Sequence, residues 1–319
     1  MLDILRKKGF QRWLVRWIRA FLTDRTTTLV IQGKESQPFA IKAGVPQGST
    51  LSPILFNFYA HELLEICNQP KARISAIGFA DDTNILIYGT STKSKYRMLE
   101  RIHERCLKWA ERHGMKFSPG KYELTHFTRS HTKFNVTAGV NFGSVRKEPS
   151  GEVRILGVWL DTKLTWSAHA RKVTRKATSQ IGALTRLTAS TWGASFAWSR
   201  QIYSSVVRPM LTYGAMLWHS PTEGKAKGVA AKLRTVQNKC LRTIAGAYSA
   251  TPIQALETGT FTPPIDLYLD SRIAAFQRRL QASPITTRSR GRVKQSYGGL
   301  SSENQGLLRH KASVERNGP

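Results

Sequence analysis

The sequence predicts an α+β fold, with an antiparallel sheet packed against helices and a mainly helical domain after it. Three observations lead there. A β-hairpin pattern, Ile74 to Phe79 and Ile85 to Tyr88, sits between two helical patterns, so strands and helices share one unit. From Trp166 onward the apolar spacing is helical. With 319 residues, 40% of them hydrophobic, the chain can bury the cores of two domains.

Leu2, Leu5, Trp13, Trp17, Ile18 and Phe21 recur at helical intervals, which predicts one helix over Leu2 to Leu22. The β-branched run Thr26 to Ile31 predicts a strand after it. Gly44 to Ser52 is a loop of small residues and proline, and Ser52 is suited to cap a helix that has Pro53 in its first turn and runs to about Ile66. The hairpin follows, joined at Ala80 to Asn84, and Lys93 to His113 is a charged amphipathic helix ended by Gly114. A strand near Leu124 to Phe127, a polar stretch to Gly151 and a short hairpin around Val153 to Leu160 precede the helical part. Beyond Leu280 few large apolar residues remain to offset the entropy of ordering, so the tail is expected to be disordered. The expected organisation is a sheet-and-helix unit over 1–130, a linker and hairpin over 131–165, helices over 166–280 and a basic tail over 281–319.

Lys and Arg number 49 against 20 Asp and Glu, a formal net charge of +29. An enzyme of small metabolites has no use for such an excess, whereas a polyanion-binding protein does. The basic residues run from Arg6 to Arg316, which fits a long charged groove better than one basic arm. The longest apolar stretches, Pro53 to Tyr59 and Val206 to Trp218, are short or interrupted by Arg208 and Pro209, so no segment reads as a membrane span. Cys67, Cys106 and Cys240 stand far apart in sequence with no paired spacing, which argues against a disulfide framework or zinc knuckle and fits a reducing intracellular compartment. The Arg-rich start has the composition of a mitochondrial leader, but Asp3 and the Trp13/Trp17 stripe suit a folded helix better.

Two motifs carry chemistry. Asp81 and Asp82 are adjacent carboxylates at the turn of an apolar hairpin. At about 4 Å two such charges repel by roughly 4 kcal/mol at an effective dielectric near 20, so solvent or a divalent cation has to compensate. Mg2+ favours oxygen donors and keeps coordination places for water and phosphate. The plainer reading is that Asp82-Thr83-Asn84 is a solvated turn. The second motif, Gly44-Val45-Pro46-Gln47-Gly48-Ser49-Thr50-Leu51-Ser52-Pro53, is a glycine-bracketed loop opening a helix, which lets backbone approach a phosphate or nucleotide edge.

In this order and spacing the two motifs resemble the palm of non-LTR (LINE-type) retrotransposon reverse transcriptases. Gly44 to Pro53 resembles that family's B motif, Phe79 to Asp82 its catalytic C motif, and Lys121 to Phe127 the stretch closing the palm. Leu156-Gly157-Val158-Trp159-Leu160-Asp161 resembles the hairpin that holds the primer end, and Arg208-Pro209 to Ala215, Trp218, and Val236 to Tyr248 resemble thumb segments. The resemblance covers roughly Leu2 to Leu280 and implies a reverse-transcriptase palm followed by a helical thumb.

It further implies RNA-directed DNA polymerisation by a two-metal Mg2+ site. Asp81 and Asp82 would serve as catalytic metal ligands, Gly44, Pro46, Gln47, Gly48 and Ser49 would line the nucleotide and template, and Lys121 would reach the nucleotide phosphates, the alternative for Lys121 being an ordinary surface lysine in a Pro-Gly turn. Leu156, Gly157 and Val158 would form the primer grip. Expected partners are an RNA template, a DNA primer or RNA–DNA duplex, deoxynucleoside triphosphates and the element's RNA in a ribonucleoprotein, with no membrane; the expected location is nuclear. Arg171, Lys172, Arg175 and Lys176, with Trp192 and Trp198 nearby, would face the duplex backbone. The family's first metal-binding Asp belongs to a strand preceding the first helix, and neither Asp3 nor Asp24 holds that position. The expectation is therefore a catalytically incomplete fragment, with a non-catalytic nucleic-acid-binding remnant as the alternative.

Overall fold

A computed structural model of the chain describes residues 1–89, 91–128, 137–187, 193–221, 228–282 and 309–314. They divide into two compact units, Met1–Ser150 with Gly306–Pro319, and Gly151–Gln305. The architecture is α+β, with small antiparallel sheets and a helical region.

The predicted first helix is two. Gly9, at φ 79°, breaks it between α1 (Leu2–Lys7) and α2 (Arg12–Leu22). After the break, α2 buries Val15 and Ile18, which pack with Leu5 and Leu55. The Trp13/Trp17 stripe therefore faces away from the core. The predicted strand at Thr26 to Ile31 is a nested pair of hairpins instead. β1 (Thr26–Thr27) pairs with β4 (Phe39–Ala40), and inside it β2 (Val30–Ile31) pairs with β3 (Lys34–Glu35). Gln32 and Gly33, at φ 52° and 78°, make the tight turn between them, and no six-residue strand survives it.

Helix α3 spans Ser52–Cys67 with Pro53 in its first turn. Ser52 is its first helical residue, not its cap: the hydroxyl donates to the Pro46 carbonyl at 2.5 Å and closes the preceding loop. Strands β5 (Ile74–Phe79) and β6 (Asp82–Tyr88) form the predicted hairpin, with β6 starting earlier than expected. The charged helix α4 (Thr92–Arg112) is capped by the Ser91 hydroxyl, which accepts from the Ser94 N–H at 3.4 Å. Strand β7 (Glu123–Phe127) completes the sheet, with the strand Arg309–Val314 lying between β6 and β7 and antiparallel to both. That strand falls inside the expected tail, whose residues 283–308 and 315–319 lie outside the described residues. The polar stretch before Gly151 holds an unforeseen hairpin of β8 (Val140–Phe142) and β9 (Val145–Lys147).

In β6 Thr83, Ile85 and Ile87 alternate toward the core, as a half-buried strand requires. Below them α3 and α4 contribute Leu63, Cys67, Leu99, Ile102, Cys106 and Trp109. Trp109 is fully buried and stacks on His113 with ring centroids 4.4 Å apart. Cys67 and Cys106, far apart in sequence, come within 3.4 Å as buried free thiols. Contact with Cys67, then burial, pushes the Cys106 thiol up.

In the second unit β10 (Glu152–Ile155) and β11 (Val158–Asp161) form the hairpin expected from the sequence, grouped with the helices instead of with a linker. Helices α5 (Ser167–Leu187), α6 (Phe196–Ile202), α7 (Arg208–Leu211), α8 (Ala215–Trp218), α9 (Val229–Ala245), α10 (Ile253–Gly259) and α11 (Ile265–Ala282) follow. Their core includes Ala177, Leu211, Leu233, Cys240, Leu241 and Leu269. Within it the Tyr203 hydroxyl donates to Gln237 Oε1 at 2.8 Å, and Gln237 Nε2 donates to the Pro263 carbonyl at 3.0 Å, so the buried amide is satisfied. Among the described residues no helix is long and apolar enough to cross a membrane.

Candidate functional site

The loop before α3 is anchored at both ends and open at its tip. Val45 and Leu51 pack against the Leu5/Val15/Ile18/Leu55 cluster. The Arg25 guanidinium donates to the Gly44 carbonyl at 2.7 Å, and Ser49 Oγ accepts from the Leu51 N–H at 3.3 Å. Gly44 and Gly48, at φ 89° and 85°, have nothing within 4 Å of a would-be Cβ. Those glycines are needed for backbone direction, and Gln47 and Gly48 are left exposed with Pro46 and Ser49 half-buried beside them. Arg25 was missed in the sequence reading, since only the folded chain brings it to Gly44.

Asp81 stands in the two-residue turn of the β5/β6 hairpin, after Ala80 at φ 49°, and Asp82 pairs with Phe79 at the head of β6. Asp81 is exposed and Asp82 half-buried. The turn therefore presents the Asp81 carboxylate to solvent from a paired hairpin, with Asp82 half-buried beside it. Helix α3 connects it to the glycine loop: a Cβ on Gly78 would sit 2.9 Å from Leu64 Cδ2, so β5 lies close against the helix that the loop opens, and a larger residue there would have to displace the Leu64 side chain. Lys121 is exposed in the short turn Pro119–Lys121 just before β7. Glu123 aligns with Ser313, and Ser313 with Asn84, so β7 starts at the sheet end that carries Asp81 and Asp82. The fold thus brings the glycine loop and Lys121 into one framework with the aspartate turn.

Behind the sheet, buried polar groups hold the strands in place. The Tyr96 hydroxyl meets His126 Nε2 at 2.5 Å, and His103 Nε2 meets the Tyr122 hydroxyl at 3.0 Å. Burial lowers His126 to about 4 and raises Tyr122 to about 12. Lys95 Nζ donates to the Gly89 carbonyl at 3.0 Å, beyond the end of β6, and burial lowers it to about 8.

Leu156, Gly157 and Val158 belong to the second unit. Leu156 and Gly157 turn the β10/β11 hairpin at φ 47° and 85°. The Tyr213 hydroxyl donates to the Leu156 carbonyl at 2.7 Å, and a Cβ on Gly214 would meet Val158 Cγ2 at 2.9 Å, so the hairpin tip is seated on Tyr213-Gly214. Glu152 ties the hairpin to α5, pairing with Lys172 at 2.8 Å and with Arg171, while Lys172 Nζ lies 4.5 Å from the Trp159 ring. A groove of about 550 Å3 is lined by Ser167, Arg171, Thr174 and Arg175 of α5 with Lys232 and Thr235 of α9. The groove wall, which includes Ala170, is mostly apolar and the Thr174 hydroxyl is buried, so it is the cationic side chains Arg171, Arg175 and Lys232 that suit a phosphate backbone. Lys232 escaped the sequence reading because it is remote from the Arg171 cluster along the chain. Trp192 lies outside the described residues. Among the described residues no group of three or more His, Cys, Asp or Glu side chains could hold a metal ion.

Comparison with known proteins agrees with this framework. The reverse transcriptase (RNA-dependent DNA polymerase) family profile matches residues 4–160. The chain is 25% identical over 281 residues to the RNA-directed DNA polymerase from mobile element jockey of Drosophila melanogaster, covering 87% of this chain and 30% of that protein. It is 26% identical over 237 residues to the probable RNA-directed DNA polymerase from transposon BS of the same organism, covering 71% and 25%. A segment of 94 residues is 32% identical to the Pol polyprotein of type-1 retrotransposable element R2 of Popillia japonica, covering 27% and 16%. The chain spans three tenths of the jockey protein and a quarter of the BS protein.

Proposed function

Because residues 4–160 belong to the reverse transcriptase family, of the kind carried by non-LTR retrotransposons, we propose that this chain contributes the palm and thumb of an RNA-directed DNA polymerase and binds an RNA template paired with a DNA primer. The observation that carries the reading is the Asp81-Asp82 turn, exposed at Asp81 and half-buried at Asp82, on a paired hairpin whose strand β5 packs against the helix that the glycine loop opens.

The donor set fits Mg2+, which is often held by one or two carboxylates, with waters and substrate phosphates completing the shell. Asp81 is the direct ligand in this proposal, and Asp82 lies toward the primer terminus. The chemistry supplied by Mg2+ at such a site is activation of the attacking primer hydroxyl and neutralisation of the leaving pyrophosphate. The chain's own residues do the positioning. Gln47 and Gly48 present amide and backbone to the nucleotide and template base, beside Gly44, Pro46 and Ser49. Lys121 approaches the nucleotide phosphates from the start of β7 and favours charge on the leaving group. The Leu156-Gly157-Val158 tip supports the primer, and Arg175 and Lys232 take phosphates of the duplex. The site of action in this proposal is nuclear chromosomal DNA, with the element's RNA in a ribonucleoprotein.

With two carboxylates a second metal has weak support. Losing several kcal/mol of transition-state stabilisation lowers a rate by orders of magnitude, about tenfold per 1.4 kcal/mol. The chain alone is therefore proposed to bind primer and template well and extend them poorly. A purely binding role is the second reading, favoured by the lack of a larger ligand group among the described residues. Iron-directed cleavage separates the two. Fe2+ replacing Mg2+, with ascorbate and peroxide, should cut a bound primer near its terminus, and Asp81→Ala should lose the cut while keeping the hybrid. A wild-type complex that binds hybrid but gives no Asp81-dependent cut would leave only the binding role.

A further inference from the structure

Helix α2 carries an outer face that the aspartate turn does not use. Val15 and Ile18 point into the core, while Trp13 and Trp17 are 65% and 54% exposed. Arg12, Arg16 and Arg19 are exposed beside them. On a helix, Trp13 and Trp17 form one ridge, and Arg12, Arg16 and Arg19 form the next. No acidic residue occurs in Arg12–Leu22, and no ion pair among the described residues engages those arginines. The rings are held in place: the Trp13 indole N–H donates to Gln11 Oε1, and Trp17 stacks on Phe21 with centroids 6.0 Å apart and planes 8° from parallel.

Two exposed tryptophans on one helix face mark an interaction surface, and the arginine ridge selects its partner. We infer that this face binds a single-stranded polynucleotide, with bases stacking on Trp13 and Trp17 and phosphates meeting Arg12, Arg16 and Arg19. Stacking on a ring needs a base whose face is free, which a duplex does not offer and a single strand does. Residues four apart on a helix rise about 6 Å, close to twice the 3.4 Å per nucleotide of a stacked strand, so the two rings suit alternate bases. Guanidinium forks match phosphate oxygens in pairs. A protein partner would need acidic groups against the arginines and an apolar strip against the rings, whereas a single strand supplies both chemistries in every nucleotide. The inference goes beyond the polymerase reading and does not depend on Asp81.

The test uses the full chain and two variants, W13A/W17A and R12Q/R16Q/R19Q, with fluorescent oligo(U) and oligo(dT) in separate arms and an RNA–DNA hybrid as control. Urea unfolding checks that the folds are equal, which the exposure of all five side chains predicts. W13A/W17A should weaken single-strand binding by about thirtyfold or more in at least one arm, while hybrid binding stays unchanged. R12Q/R16Q/R19Q should lower the slope of log affinity on log salt by about two. Ultraviolet cross-linking of the wild-type chain should join the oligonucleotide to the peptide containing Trp13 and Trp17. Unchanged single-strand affinity in both variants overturns the inference. So does a wild-type dimer that W13A/W17A converts to monomer with single-strand binding intact, since the face is then an interface between copies. Failure of the wild-type chain to bind hybrid counts against the polymerase reading and leaves this face untouched.

Discussion

Gly157→Ala should loosen the β10/β11 hairpin by an amount that Tyr213 controls. Gly157 has φ 85°, a region that costs an L-residue about 1–2 kcal/mol. The added Cβ would stand 2.9 Å from Tyr213 Cε1 and 3.3 Å from its hydroxyl, so the ring must move. Moving it gives up the 2.7 Å bond from that hydroxyl to the Leu156 carbonyl, about 1 kcal/mol net. Together these come to about 2–3 kcal/mol, or hairpin amides that exchange about thirtyfold to over a hundredfold faster under native conditions. With Tyr213→Ala already in place, Gly157→Ala should cost only its backbone part, leaving a coupling of about 1 kcal/mol between the sites. Hydrogen exchange of the Val153 to Leu160 amides in all four proteins measures it. Equal effects of Gly157→Ala in both backgrounds would refute the seating of the hairpin on Tyr213.

Three further outcomes are expected. Trp109→Ala removes a fully buried ring whose indole N–H donates to Glu62 Oε2 at 3.2 Å, so urea unfolding should show the first unit destabilised by about 3–5 kcal/mol; a loss under about 1 kcal/mol would contradict the burial. Burial lowers His126 from 6.5 to about 4, so the unfolded chain takes up the proton first as pH falls. Stability should be full above the ordinary histidine value, decline as pH falls toward about 4, and level off below it. His126→Gln should flatten that decline in unfolding curves taken across the window, and an unchanged slope would sink the assignment. Replacing Arg175 and Lys232 together by Gln should reduce the salt slope of hybrid binding by nearly two, read by anisotropy; an unchanged slope would place the duplex elsewhere.

Elements whose pattern is local were legible in the sequence. The β5/β6 hairpin, α4 and the β10/β11 hairpin carry their own periodicity and turns, and the Asp81-Asp82 turn emerged because two charges on apolar strands demand a reason. Ser52 was misread because a serine before proline at a helix start is a good cap on local grounds, and only the return of the loop brings the Pro46 carbonyl to its hydroxyl. The tryptophan stripe was read as a marker of a packed helix because hydrophobic spacing does not tell which of two adjacent ridges is covered. Val15 and Ile18 take that place in the fold, packed with Leu5 and Leu55. Arg25 at Gly44, the Cys67–Cys106 contact and Lys232 in the α5/α9 groove depend on chain folding over long separations, for which a single sequence carries no local signal.

Primer extension on an RNA template with Mg2+, run beside Asp81→Ala and with hybrid binding measured in parallel, tests the central claim most directly. The account predicts salt-sensitive hybrid binding by both proteins and slow extension by the wild-type chain that disappears in Asp81→Ala. Extension that survives Asp81→Ala undiminished, or a wild-type chain that does not bind the hybrid, would contradict it.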